Sequence, residues 1–331
     1  MEPLKYKDYI YSLSDKNQLS ISIVNAPKRE TSIYKYYSID QRSIDALMGH
    51  YLYASYPDQF NDIMDCSMYL IDFKHIEKFH YEKFYEVCNA FKSEGFEIAA
   101  QQNFEKFRIH FYLWYYSQFG IISFATSPLN SLLWAHYTHE IGFVVRFSVS
   151  KLMGSLRQRN KDIESLGINP VQYCKELEPI DFFSECFHNP ILQMAYISNV
   201  KLEDWRYEDE WRCILSKNNM GCSAEDSSRS KLEIKGVQDR SCHYNLSDIE
   251  AIYLGAKFFE NARSGIEGEN CLVKDEFIPF LNYLFENHNG HLYISIADHS
   301  EQNNVTRRNR KISLIRHRRN LFEVVDEERR E

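Results

Sequence analysis

The sequence predicts an α+β domain built on a mixed, largely antiparallel sheet, open to a split, with a helical hairpin inserted into it. Three observations carry that prediction. Strand-like and helix-like segments follow one another without regular alternation, which argues against a doubly wound parallel sheet. The 331 residues are 44% apolar but hold only 12 Gly and 8 Pro, which is material for one large core and little for long flexible linkers. Neither GxGxxG nor GxxxxGK(S/T) occurs, so the loops that serve dinucleotide and P-loop folds are not encoded. Residues 1–331 are accordingly read as a single elaborated domain.

The elements are taken in chain order. In "SIYKYYS" (32–38) strand alternation puts Tyr34 and Tyr36 on one face and Lys35 and Tyr37 on the other. "SIDALMGH" (43–50) reads as a helix with Ser38 and Asp40 as candidate caps. "YLYASYPDQFNDIMD" (51–65) is a strand running into a polar turn, where Asn61, Asp62 and Asp65 most simply cap the next helix. Between 72 and 119, Phe79, Phe84, Val87, Phe91, Phe104, Phe107, Phe111, Trp114 and Tyr115 recur at helical spacing and predict the hairpin. "GIISFATS" (120–127) and "IGFVVRFSV" (141–149) are strands separated by a short helical piece, "NSLLWAHYT". An amphipathic stretch, 177–197, is broken near Pro190. Strands are expected again at 207–216, 231–235, 249–255, 291–296 and 311–316, with a late helix at 276–285.

Net charge is −8, giving no general attraction to nucleic acid, yet 307–319, "RRNRKISLIRHRR", in the C-terminal segment (about 301–331), is strongly basic. That stretch is read as a terminal strand with Ile312 and Leu314 on one face, or as an arm that contacts phosphates. The eight cysteines include no CxxC pair, which argues against a zinc knuckle and a redox motif. No apolar window is long enough to span a membrane, and no signal-peptide core opens the chain, so a cytoplasmic protein with no membrane partner is expected.

Two stretches carry candidate chemistry. In "DWRYEDEWRCIL" (204–215), Glu208 and Glu210 stand two apart between Trp205 and Trp211. On a strand both carboxylates share a face, either neutralised by Arg206 and Arg212 or kept for a developing positive charge. In "SFATSPLNSLLWAHYTHEIGF" (123–143), Ser123, Thr126 and Ser127 offer hydroxyls, and Trp134 and Tyr137 are helical neighbours at i, i+3. His136 and His139 form a similar pair, but no third ligand is spaced to complete a metal site, and no metal is expected.

Taken in order, "YKYYS", "FNDIMD", "LLWAHYTHEIGFVVRF" and "WRYEDEWR" resemble a widespread bacterial domain-of-unknown-function family over roughly 33–256. Ile63 departs from the Pro that many such relatives carry. More distantly, an aromatic strand, a hydroxyl-bearing strand and a Glu-x-Glu strand resemble the order of the ADP-ribosyltransferases. That resemblance implies an enzyme that cleaves the nicotinamide–ribose bond of NAD, by transfer or as a glycohydrolase. It gives Tyr36 and Glu210 catalytic places, with Glu208 orienting the acceptor. Lys35, Ser123, Thr126, Trp134 and Tyr137 become contacts to NAD, which enters as substrate. The acceptor, whether protein, nucleic acid or water, is left open, and a toxin or phage-defence role goes with a family of this kind.

Two alternatives stand beside it. One is a metal-dependent nuclease using Asp62, Asp65, Glu208 and Glu210 as oxygen ligands and the basic segment on nucleic acid. The other is a non-catalytic module whose aromatic face binds a nucleotide or a partner peptide.

Overall fold

A computed structural model describes residues 4–6, 9–13, 19–24, 28, 30–72, 119–160, 164–181, 196–216, 240–300 and 304–329. The fold is α+β, organised on one large sheet. Its strands are β1 (Ser32–Tyr37), β2 (Phe119–Ala125), β3 (Phe143–Ser148), β4 (Glu164–Pro170), β5 (Glu210–Ser216) and β6 (Ile249–Leu254). They continue with β7 (Arg263–Glu267), β8 (Asn270–Val273), β9 (Leu292–His299), β10 (Val305–Arg318) and β11 (Leu321–Asp326). The spatial order is β7-β8-β11-β10-β9-β6-β3-β1-β2-β5-β4. Every neighbouring pair is antiparallel except β6 and β9, which run parallel.

Among the described residues, α1 (Gln41–Met48), α2 (Val149–Arg159), α3 (Ile278–His288) and a short helix, Phe258–Ala262, contribute to the main core. Helix α1 starts where Asp40 caps it, its carboxylate accepting from the Ser43 N–H at 2.9 Å. Its buried Ile44 and Leu47 join a core that includes Ile33, Leu152, Leu156, Phe280 and Leu284. Each large side chain buried in that way contributes about 1.5–3 kcal/mol relative to exposure. The opposite sheet face carries a smaller cluster of Trp134, Val144, Ala251 and Tyr253, with Tyr34, Tyr36 and Tyr293 against it. Strand alternation in β1 therefore sorts its tyrosines as the sequence predicts: Tyr34 and Tyr36 go to this cluster and Tyr37 to the main core.

The basic C-terminal stretch is the long strand β10, with Ile312 and Leu314 buried. Its cations lie against acidic partners: Arg307 with Glu140, Arg308 with Glu328, and Arg310 with Asp298 and Asp326. The helix expected at 43–50 begins two residues earlier, at the Asp40 cap, and the late helix extends to His288. The strand expected from 207 begins only at Glu210, because Glu203–Glu208 is a 3₁₀ turn closed by Asp209 in the left-handed region (φ 44°). The helical hairpin (73–118), the strand at 231–235 and most of the amphipathic stretch (182–195) lie outside the described residues.

Candidate functional site

The sheet nearly parts between β1 and β2. These strands pair only at Tyr34 and Ala125, while β1 pairs with β3 from Ser32 to Tyr37 and β2 with β5 from Phe119 to Ala125. Ala125 faces Glu210 on its other side, so Tyr34, Ala125 and Glu210 form one row across three strands. Past that row the opening is bridged by a side chain: Lys35 Nζ donates to the Ser123 carbonyl at 3.0 Å. A cleft of about 290 Å³ lies here, lined among others by Tyr34, Lys35, Tyr36, Phe60, Asn61, Ser123, Tyr137, Lys201, Glu208 and Glu210.

One wall is a buried ion cluster. Lys201 Nζ stands 2.6 Å from Glu208 Oε2, 3.2 Å from Glu210 Oε2 and 3.7 Å from Asp65 Oδ2. Arg212 donates from Nε to Glu210 Oε1 at 2.8 Å and from Nη2 to Oε2 at 3.0 Å, and it binds Asp65 through both terminal nitrogens. Bidentate guanidinium–carboxylate pairs of this kind fix geometry as well as charge. All five side chains are buried. Burial alone would push the Glu210 carboxyl up, but Arg212 and Lys201 outweigh it and hold it at about 2. Burial likewise pulls Lys201 down, and Glu210, Glu208 and Asp65 reverse the sign and raise it. Formally, three carboxylates meet two cations, leaving one negative charge in the wall of the cleft.

Tyr137 closes the cluster toward solvent. Its hydroxyl donates to Glu208 Oε1 at 2.7 Å and accepts from Asn61 Nδ2 at 3.5 Å. Burial, then the Glu208 charge, drives the phenol well above its ordinary value, so it stays a donor. The segment that presents it is unusual: Trp134–Thr138 is a π-helical turn, followed by His139 and Glu140 with φ of 52° and 62°. Non-glycine residues seldom adopt such angles, and a pair of them persists only where the surroundings fix the chain. Here two glycines let backbones touch. A Cβ on Gly142 would lie 2.1 Å from the Tyr37 carbonyl oxygen, and one on Gly255 would lie 2.3 Å from that of Glu140.

Arg307 of β10 spans the same segment. It donates from Nε to Ser131 Oγ at 3.2 Å and from its terminal nitrogens to Glu140 at 2.5 and 3.1 Å, and lies 5.4 Å from the Trp134 ring centroid.

The structure brings together six of the residues singled out in the sequence: Lys35, Tyr36, Ser123, Tyr137, Glu208 and Glu210. Tyr36 donates to the Ser127 carbonyl at 2.8 Å and meets the Trp134 ring edge-on at 5.6 Å. Trp134 itself is fully buried behind Tyr36, its Nε1 donating to the Pro128 carbonyl at 2.7 Å, and does not line the cleft. The i, i+3 pairing expected with Tyr137 fails because a π turn widens the helical period and moves the two rings to different sides. Thr126 hydrogen-bonds Asp209 and is likewise absent from the cleft lining. Arg206, expected to neutralise the carboxylates, pairs instead with Glu203, donating from Nη2 at 2.7 Å.

Asp62 caps its own turn, accepting from the Met64 N–H at 2.9 Å, while Asp65 enters the ion cluster. The residue that sequence reasoning missed is Lys201. It sits in "NVKLED" with no local pattern to mark it, and only the fold delivers its amine to three carboxylates. Among the described residues no group of His, Cys, Asp and Glu is arranged to hold a metal ion, and Lys201 occupies the centre that the nuclease reading assigned to one.

No curated protein and no solved structure matches the chain. A family match covers residues 133–213, which take in Trp134, Tyr137, Lys201, Glu208, Glu210 and Arg212, with Lys35, Tyr36 and Asp65 outside it. Over that segment the sequence is similar to a domain-of-unknown-function family, described as "Protein of unknown function (DUF2971)".

Proposed function

We propose that the cleft cleaves the nicotinamide–ribose bond of NAD, as an ADP-ribosyltransferase or a glycohydrolase. The observation that supports this reading most is convergence. Tyr36, Ser123, Tyr137, Glu208 and Glu210 come from distant parts of the sequence and line one cleft where the sheet parts. Cleavage of that bond develops an oxocarbenium-like cation at the ribose. In NAD the positive charge rests on the nicotinamide ring and moves onto the ribose as neutral nicotinamide leaves, and fixed, water-poor carboxylates beside the ribose stabilise it more there than in the substrate, which is the requirement for catalysis. Tyr34, Tyr36 and Tyr137 offer flat faces for the nicotinamide, and Glu208 and Glu210 offer acceptors for ribose hydroxyls. In this reading Tyr137 orients Glu208, and Lys201 and Arg212 hold the pair in place.

One observation favours a second reading. Glu210 is bonded by Arg212 through both oxygens and by Lys201 through one, the pattern of a scaffold in a non-catalytic nucleotide-binding module. The test is nicotinamide release by the wild type and by Glu210→Gln, with thermal melts alongside. Catalysis predicts release by the wild type and a loss of about 100-fold or more in a folded variant. A folded wild type that binds NAD and leaves it intact selects the binding module.

A further inference from the structure

The cleft holds two lysines in opposite circumstances. Lys201 is ringed by carboxylates, whereas Lys35 donates one hydrogen bond, to the neutral Ser123 carbonyl at 3.0 Å. Among the described residues no carboxylate forms an ion pair with Lys35. An ammonium has three donors, so one carbonyl leaves two of them for something else. A half-buried cation so thinly compensated is costly unless an anion joins it. The position favours a ligand, since Lys35 lines the cleft at the point where β1 and β2 separate.

We propose that Lys35 seats an anionic group of the ligand, the diphosphate of a nucleotide. The choice of diphosphate rests on the NAD reading above; the anion site rests on the geometry. The groups facing Lys35 across the cleft are Glu210, then Glu208, Lys201 and Tyr137. Tyr34 and Tyr36 flank it on β1, and Ser123 faces it from β2. Burial brings the Lys35 amine down to about 8, against the opposing pull of Glu210. Glu210 is held low, and burial drives Tyr34, Tyr36 and Tyr137 upward. A bound phosphate favours the ammonium and raises the amine's pKa. The complex then carries more protons than the free protein above about pH 8, and affinity falls about tenfold per pH unit there until the raised value is reached.

The experiment is calorimetry with ADP-ribose and with inorganic pyrophosphate, at about pH 7 and about pH 9, in two buffers of different ionisation heat. Wild type, Lys35→Met and Lys35→Arg are compared, with melts to establish folding and nicotinamide release measured in parallel. The expected result is binding of both probes by the wild type, with close to one proton taken up at the higher pH. Lys35→Met should lose about tenfold or more in affinity, and Lys35→Arg should keep affinity but lose the proton uptake, because a guanidinium does not titrate in this range. A folded wild type that binds neither probe, or a Lys35→Met variant that binds both as well as wild type, overturns the proposal. Pyrophosphate binding that depends on Lys35 without nicotinamide release sinks the NAD reading and leaves the anion site standing. Release with an unchanged KM in Lys35→Met does the reverse.

Discussion

Lys201 Nζ lies 2.6 Å from Glu208 Oε2, and through this contact one buried ammonium ties the end of a 3₁₀ turn to the first residue of β5. Replacing it by methionine keeps much of the volume and removes the charge. Three buried carboxylates would then face Arg212 alone, and uncompensated buried charge of this kind costs about 3–5 kcal/mol. Chemical denaturation of Lys201→Met at neutral pH should show a loss of that size. A variant as stable as wild type would mean that the cluster is wetter than its burial indicates.

The same cluster sets an acid response. Glu210 is held at about 2, below its ordinary 4.5, so the stability it contributes is present above 4.5 and is lost as pH falls toward 2. Removing Lys201 raises the folded-state value. The gap between Lys201→Met and wild type should therefore narrow as pH drops below about 4.5, because the unfolded chain then takes up a proton that the folded wild type refuses and the folded variant accepts more readily. Denaturation curves collected across that window check the sign; a gap that widens on acidification contradicts it.

Arg307 and Glu140 should behave as one unit. Their two hydrogen bonds, at 2.5 and 3.1 Å, fasten a left-handed residue beside the π turn that carries Tyr137. Charge-assisted, part-buried bonds contribute about 1–3 kcal/mol. A double-mutant cycle of Arg307→Met and Glu140→Gln should return a coupling in that range, with the double variant far less destabilised than the sum of the singles. Additive effects would show that the segment is held by its backbone contacts instead.

Deleting the chain from Val305 onward should abolish cooperative melting. Strand β10 buries Ile312 and Leu314 and hydrogen-bonds β9 and β11 on its two edges, so its loss strips the sheet on both sides. A truncated chain with an unchanged Tm would contradict its place inside the sheet.

The range of the forces involved decides how much of the molecule was legible in the sequence. The faces of β1, the Asp40 cap and the paired apolar positions of β10 are set by alternation and local hydrogen bonding, and these were readable. Convergence of Tyr36, Tyr137 and Glu210 was readable from residue types alone, because polar aromatics and acids in scattered strands suggest a shared cleft. The electrostatic design was not. Glu208 and Glu210 were expected to share a strand face, but Asp209 turns left-handed between them and their carboxylates meet through Lys201 instead. Lys201 has no local signature, and Asp65, marked only as part of a polar turn, gains its place in the cluster from partners far along the chain. Trp134 and Tyr137 were misplaced relative to one another because nothing local marks a π turn.

The single residue pair joining β1 to β2 has a consequence for the peptide groups beside it. Amides in a continuous ladder exchange with solvent deuterium only when the sheet opens, but those of Lys35 and Tyr36 that front the parted edge lack a β2 partner in the ladder. A ligand seated in the cleft can supply acceptors there, as an added strand would at any sheet edge. Residues 34–37 thereby become a reporter that needs no knowledge of the reaction. Slowed deuterium uptake at this strand, in a protein mixed with small molecules of different classes, would identify which of them enters the cleft.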